Sequence, residues 1–239
     1  MPSPNQKKSS RPDSSQVIFA LIAVLVALVI FAAPAANAIM TARVAAASVN
    51  LGEIAKTYTA YVHASTPPRM LTVQPGETAH AAAVTLARTS QLNDGNVWFV
   101  KSDPKLNGNS VPATIIPGDV ATSSVNPDFA NQALSYEIAA NLNLNPAPPI
   151  PQPNPAGTPV AWTRGLRDDG TWAPDSPWQG EGGHIAFLDG HVAWFNKLSI
   201  QPGQESLFRY GTNIPTTNIR EALPPGAVIL SAEPGSVQP

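Results

Sequence analysis

The chain has 239 residues, with 14 basic and 16 acidic side chains, four histidines and no cysteine. A net charge of -2 excludes the basic footprint of a nucleic-acid partner, and the lack of cysteine excludes disulfide scaffolds and thiol chemistry. The length suffices for one sizeable domain or two small ones, which packing alone must hold together.

Residues 1–16 (MPSPNQKKSSRPDSSQ) are polar, and VIFALIAVLVALVIFAA, Val17 to Ala33, follows as seventeen apolar residues without a break. That run reaches the lower end of the roughly 17–25 residues that cross a bilayer and exceeds the about 7–15 of a signal-peptide core. It predicts a single-pass transmembrane helix over 17–36. Lys7, Lys8 and Arg11 hold the start in the cytoplasm, so everything after Ala36 faces the periplasm or exterior from the inner membrane. The rival is cleavage in AANA, where Ala36 and Ala38 suit a signal peptidase that would release a domain starting at Ile39. Retention is favoured because the helical pattern runs straight across that point.

In IMTARVAAASVNLGEIAKTYTAYV the residues Met40, Val44, Ala47, Leu51, Ile54, Tyr58 and Tyr61 recur at spacings of four and three. One apolar stripe results, with Arg43, Glu53 and Lys56 on the other side, so residues 37–66 form an amphipathic continuation of the helix that docks on something. Pro34 is expected to bend it near the membrane interface, and Pro67 and Pro68 end it.

Residues 67–201 change texture to short apolar segments broken by Gly, Pro and Asn, the pattern of an α+β domain. A short helix is predicted over Thr78 to Ser90, and strands over Asn96 to Ser102, Leu134 to Ala140 and Pro159 to Thr163. NPAPPIPQPNPAGTP, residues 145–159, predicts a stiff surface crossing. The tail, 202–239, is rich in Pro and Gly and has one short apolar run, Ala227 to Leu230.

GHIAFLDGHVAWF, residues 183–195, is the strongest local signal, because Asp-Gly between alternating apolar runs predicts a hairpin. A two-residue turn would pair Leu188 with His191, Phe187 with Val192 and Ile185 with Trp194. Ile185, Phe187, Val192 and Trp194 would then share the face that seats the helix. His184 and His191 would share the other face about 13 Å apart at roughly 3.3 Å per residue, too far to hold one metal. Asp189 would close the turn.

No catalytic, cofactor or metal residues are expected: His63, His80, His184 and His191 lack any nucleophile, zinc or phosphate-loop pattern. His63, at the helix end, and His80, in the short helix, have structural explanations. Two other readings concern Arg164 to His184. Asp168, Asp169, Asp175 and Glu181 could supply oxygen ligands to calcium, but their spacing matches no defined loop, and a solvated acidic turn in which Arg164 and Arg167 pair with neighbouring aspartates is favoured. Trp162, Trp172, Trp178 and Trp194 could form an exposed platform for a peptide or glycan, with Trp172 and Trp178 at its centre; pinning of the loop to the sheet edge is favoured.

The N-terminal helix, with Pro34 and Asn50-Leu51-Gly52-Glu53-Ile54, and the hairpin around Asp189-Gly190 together resemble the type IV pilin-like and pseudopilin family, type II secretion system protein G-like, whose C-terminal part bears His, nine residues, then Asp-Gly. The resemblance spans roughly a quarter of the chain. It implies a long, partly membrane-embedded helix packed on a small antiparallel sheet, and a structural role in a filament or secretion apparatus with similar subunits as partners. Three positions depart from the pattern: no glycine precedes the apolar run, the family's helix glutamate falls on Val17, and its motif histidine falls on Gln179.

Overall fold

Long apolar-rich sequence, interrupted only by Pro34 and Gly52 among helix-disfavouring residues, forms one helix, α1, Ser14–His63, in a computed structural model that describes residues 14–106, 110–201 and 203–234. Side chains are described from Ala38 onward, so the apolar run Val17 to Ala33 and the position Val17 lie outside them. The chain divides into two units at Ala42/Arg43, and the part of α1 from Arg43 belongs to the second. Among the described residues no helix is long and apolar enough to cross a membrane.

The second unit is α+β. Helix α2, Ala79–Ser90, precedes strands β1 Tyr136–Ala140, β2 Pro159–Thr163, β3 Gly183–Phe187 and β4 Val192–Phe195. After a two-strand ribbon, β5 Leu207–Phe208 with β6 Pro215–Thr216, and a 3₁₀ turn at Ile219–Ala222, the chain returns as β7, Val228–Leu230. The main sheet is antiparallel with the order β4-β3-β2-β1-β7. The tail's apolar run thus supplies an edge strand beside β1.

Register sorts the sheet into two faces. Leu230, Ile138, Ala161, Ala186 and Val192 pair in succession across all five strands and lie on one face with Tyr136. Helix α1 covers that face: a Cβ on Gly52 would stand 3.5 Å from Val192 Cγ2, Tyr136 donates to Ala47 O (3.3 Å), and Thr59 Oγ1 donates to Leu188 O (2.7 Å). From the predicted stripe, Ala47, Leu51, Ile54 and Tyr58 are buried, each of the larger ones contributing roughly 1.5–3 kcal/mol of apolar burial. Glu137, Trp162 and Ile185 pair in succession on the opposite face.

Two local expectations are corrected. Asn96 to Ser102 is not a strand: Gly95–Trp98 forms a 3₁₀ turn because the Asp94 side chain accepts from Asn96 N–H (2.8 Å) and so starts a turn. Val97 to Val100 are all buried, and that continuous apolar run reads equally well as a strand or a buried turn.

The hairpin register is also shifted by one residue. Gly190 N–H donates to Phe187 O (2.8 Å), Phe187 N–H to His191 O (3.0 Å), and Gly190 has φ +87°, so the loop is the three residues Leu188-Asp189-Gly190 with a glycine bulge. Ile185 pairs with Ala193 and His184 with Trp194. Ile185 and Phe187 therefore face away from Val192 and Trp194, and the two histidines lie on opposite faces rather than one. Leu188 is drawn into the loop because its N–H donates to Thr158 O (2.9 Å) and its carbonyl accepts from Thr59.

Candidate functional site

The hairpin histidines meet different surroundings. His184 is 2% exposed, lies edge-on to Trp194 (4.9 Å between centroids) and Trp178 (6.2 Å), and its Nδ1 has no hydrogen bond among the described residues. Burial pushes it down to about 4, so it is neutral near pH 7. His191 stacks on Phe187 (4.3 Å) with Nδ1 2.6 Å from Asp189 Oδ1. Asp189 also accepts from His191 N–H (3.1 Å), closing the loop as expected of that residue. Partial burial opposes its ionisation, but these two bonds hold it below the usual carboxylate range.

His80 is engaged at both nitrogens, with Thr78 Oγ1 (3.0 Å) and Gln132 O (2.9 Å), while its ring packs edge-on to Phe129; burial holds it below the ordinary histidine range. His63 closes the last turn of α1. Gln179, where the family motif has histidine, is an exposed turn residue at φ +54°.

The aspartates of the acidic loop have separate partners. Asp169 accepts from Thr171 N–H (2.9 Å) and Oγ1 (2.6 Å), a local turn closure, and Asp168 O accepts from Thr217 (2.9 Å). Asp175 lies 3.1 Å from Lys105 Nζ and 3.8 Å from Arg164. Among the described residues no group of three or more His, Cys, Asp or Glu could hold a metal. Arg164 does not pair with Asp168 or Asp169 but reaches Asp103 (2.6 Å), and both side chains are almost fully buried.

That buried pair escaped sequence reasoning. Ser135 Oγ donates to Asp103 (2.7 Å), Lys105 N–H donates to it (2.9 Å), and Lys105 Nζ bonds Glu233. Burial raises Asp103 from its ordinary value, outweighing Arg164 and these bonds. Glu137 was missed likewise. It is buried on the face away from α1, accepts from Trp162 Nε1 (2.6 Å), and is lifted by burial to about 7, with Trp162, Arg164 and Arg220 pulling the other way. The one legible hint is a lone carboxylate inside an otherwise apolar strand segment, SYEIAA.

The tryptophan loop is closed. Trp172 and Trp178 are 3% and 2% exposed, Trp172 Nε1 bonds Thr163 O (3.3 Å), and a Cβ at Gly183 would come within 2.3 Å of that nitrogen. Trp194 is half-buried and bonds Asn196 (2.7 Å). These rings pin the loop to the sheet and present no platform.

No known family model, curated protein or solved structure matches the chain.

Proposed function

We propose that this protein is a structural, membrane-anchored subunit of pilin-like or pseudopilin type, working without catalysis in a filament or secretion apparatus of the cell envelope. In this reading residues 17–36 anchor the chain in the inner membrane, the sheet domain faces the periplasm or exterior, and the helix is the contact to similar subunits. The observation that carries it is the division of labour along α1. One face of its later turns, Ala47, Leu51, Ile54, Tyr58 and Val62, is buried in the domain that holds the antiparallel sheet, while the same helix extends back into the uninterrupted apolar run. The binding-module alternative, with Trp172 and Trp178 as ligand platform, loses support because both rings are buried.

The test is the mass of the intact protein recovered from native membranes, followed by its oligomeric state in detergent. Retention of residues 1–38 and helix-mediated oligomers that Val24→Asn with Leu28→Asn abolish are expected. A mature start at Ile39, or a monomer indifferent to both substitutions, would remove the proposal.

A further inference from the structure

The aromatic surface that the tryptophan loop does not offer occurs elsewhere. Two hollows, about 390 and 150 Å³, share Tyr210 in their lining. The larger is bordered by Glu221 and the smaller by Asn154, Phe208, Arg209 and Asn213. Phe208 is 46% exposed.

The frame is fixed rather than incidental. Tyr210 N–H donates to Glu221 O (2.7 Å) and its hydroxyl to Pro151 O, so the ring is held from both ends. Glu221 Oε2 accepts from Thr216 (2.6 Å) and lies 3.0 Å from Arg209 Nε. Gly211 sits so close to Pro151 that a Cβ would come within 2.7 Å of its ring, which fixes the turn against the proline-rich crossing.

An exposed ring, Phe208, and a partly exposed one, Tyr210, edged by amides and a guanidinium–carboxylate pair, suit a particular chemistry. The C–H face of a sugar ring packs on an aromatic face, and its hydroxyls both donate to amide and carboxylate oxygens and accept from amide and guanidinium N–H groups. Two hollows that share one aromatic residue suit a ligand of repeating units. A polyproline segment would bring carbonyl acceptors but no donors for Glu221 or the Asn213 oxygen, whereas Asn154 Oδ1 already accepts from Ala156 N–H and offers its amide N–H groups. We propose that the groove around Tyr210 binds a hydroxyl-rich oligosaccharide, with Phe208 and Tyr210 as stacking surfaces and Asn154, Asn213, Arg209 and Glu221 as hydroxyl partners.

The experiment titrates full-length protein in detergent with chitohexaose, a neutral probe, and hexagalacturonate, an acidic one, up to about 10 mM, where a ligand of about 1 mM affinity is close to saturating. Saturable binding of either is expected, and preference between them tells a neutral glycan from an acidic one. Phe208→Ala and Asn213→Ala, both at exposed positions, should each weaken it about tenfold or more, about 1.4 kcal/mol, with thermal unfolding unchanged. No saturable binding of either probe, binding unaltered by both substitutions, or binding of a polyproline decapeptide in place of the sugars would overturn the proposal. None of these outcomes depends on whether the protein forms filaments.

Discussion

The two faces of the main sheet are built in different ways. The face under α1 is covered by a regular helix with an apolar stripe, and its large contributors are Leu51, Ile54, Tyr136, Ile138 and Leu230. The opposite face carries a carboxylate, Glu137, bonded to a tryptophan. A periodic element can fill a sheet face with apolar side chains alone. Irregular chain brings backbone and side-chain polar groups into the interior, and each must find a partner. The buried pair Asp103–Arg164, which joins the segment before β1 to the end of β2, obeys the same rule.

Breaking that pair should have the largest effect. Arg164→Ala leaves Asp103 buried without its cation, and a loss of about 3–5 kcal/mol in chemical unfolding is expected. Recovery of most of this in Asp103→Asn with Arg164→Met would show that the penalty comes from the stranded charge. On the helix face, Leu51→Ala should cost about 2–5 kcal/mol through a cavity that no polar substitution repairs.

The pH dependence of stability separates the faces. Burial raises Glu137 to about 7 from 4.5, so folding takes up a proton and stability falls as pH rises from about 4.5 to 7. His184, on the helix face, is lowered to about 4 from 6.5, so the folded protein holds fewer protons and stability falls as pH drops from about 6.5 to 4. Glu137→Gln should therefore stabilise the protein at pH 8 and leave pH 4 unchanged, whereas His184→Phe should remove the acid-side loss. Each effect is on the order of 1–3 kcal/mol in denaturant midpoints followed against pH. Identical pH profiles for parent and Glu137→Gln would erase the contrast between the faces.

The smallest expected effect concerns the hairpin loop. Gly190→Ala forces an alanine to φ +87° and should cost about 1–2 kcal/mol in thermal unfolding, with the register kept because Asp189 and Leu188 still hold the loop.

Periodicity explains what could be read in advance. The stripe from Ala47 to Tyr58, α2, β1 and β2 all declared themselves by their runs and spacing of apolar residues, with Pro67 and Pro68 closing the helix. What stayed hidden depended on partners distant in the chain. Leu188 joins its loop through Thr158 and Thr59, and Arg164 ignores adjacent aspartates for one 61 residues earlier. The two-residue turn expected at Asp189-Gly190 was a sound local preference overruled by these tertiary bonds. The groove around Tyr210 was similarly invisible, since its walls come from the proline-rich crossing and the tail.

The bulge at Gly190 makes the hairpin sensitive to arithmetic. Along β4, inside and outside are decided by whether the loop holds an odd or even number of residues, and the answer decides whether Trp194 meets His184 or Ile185. Changes of residue identity in that loop alter stability by degrees. Loss or gain of a single residue turns the strand over, exchanging the residues it presents to the two sheet faces, so descent of this fold should tolerate changes of identity in the loop better than changes in its length.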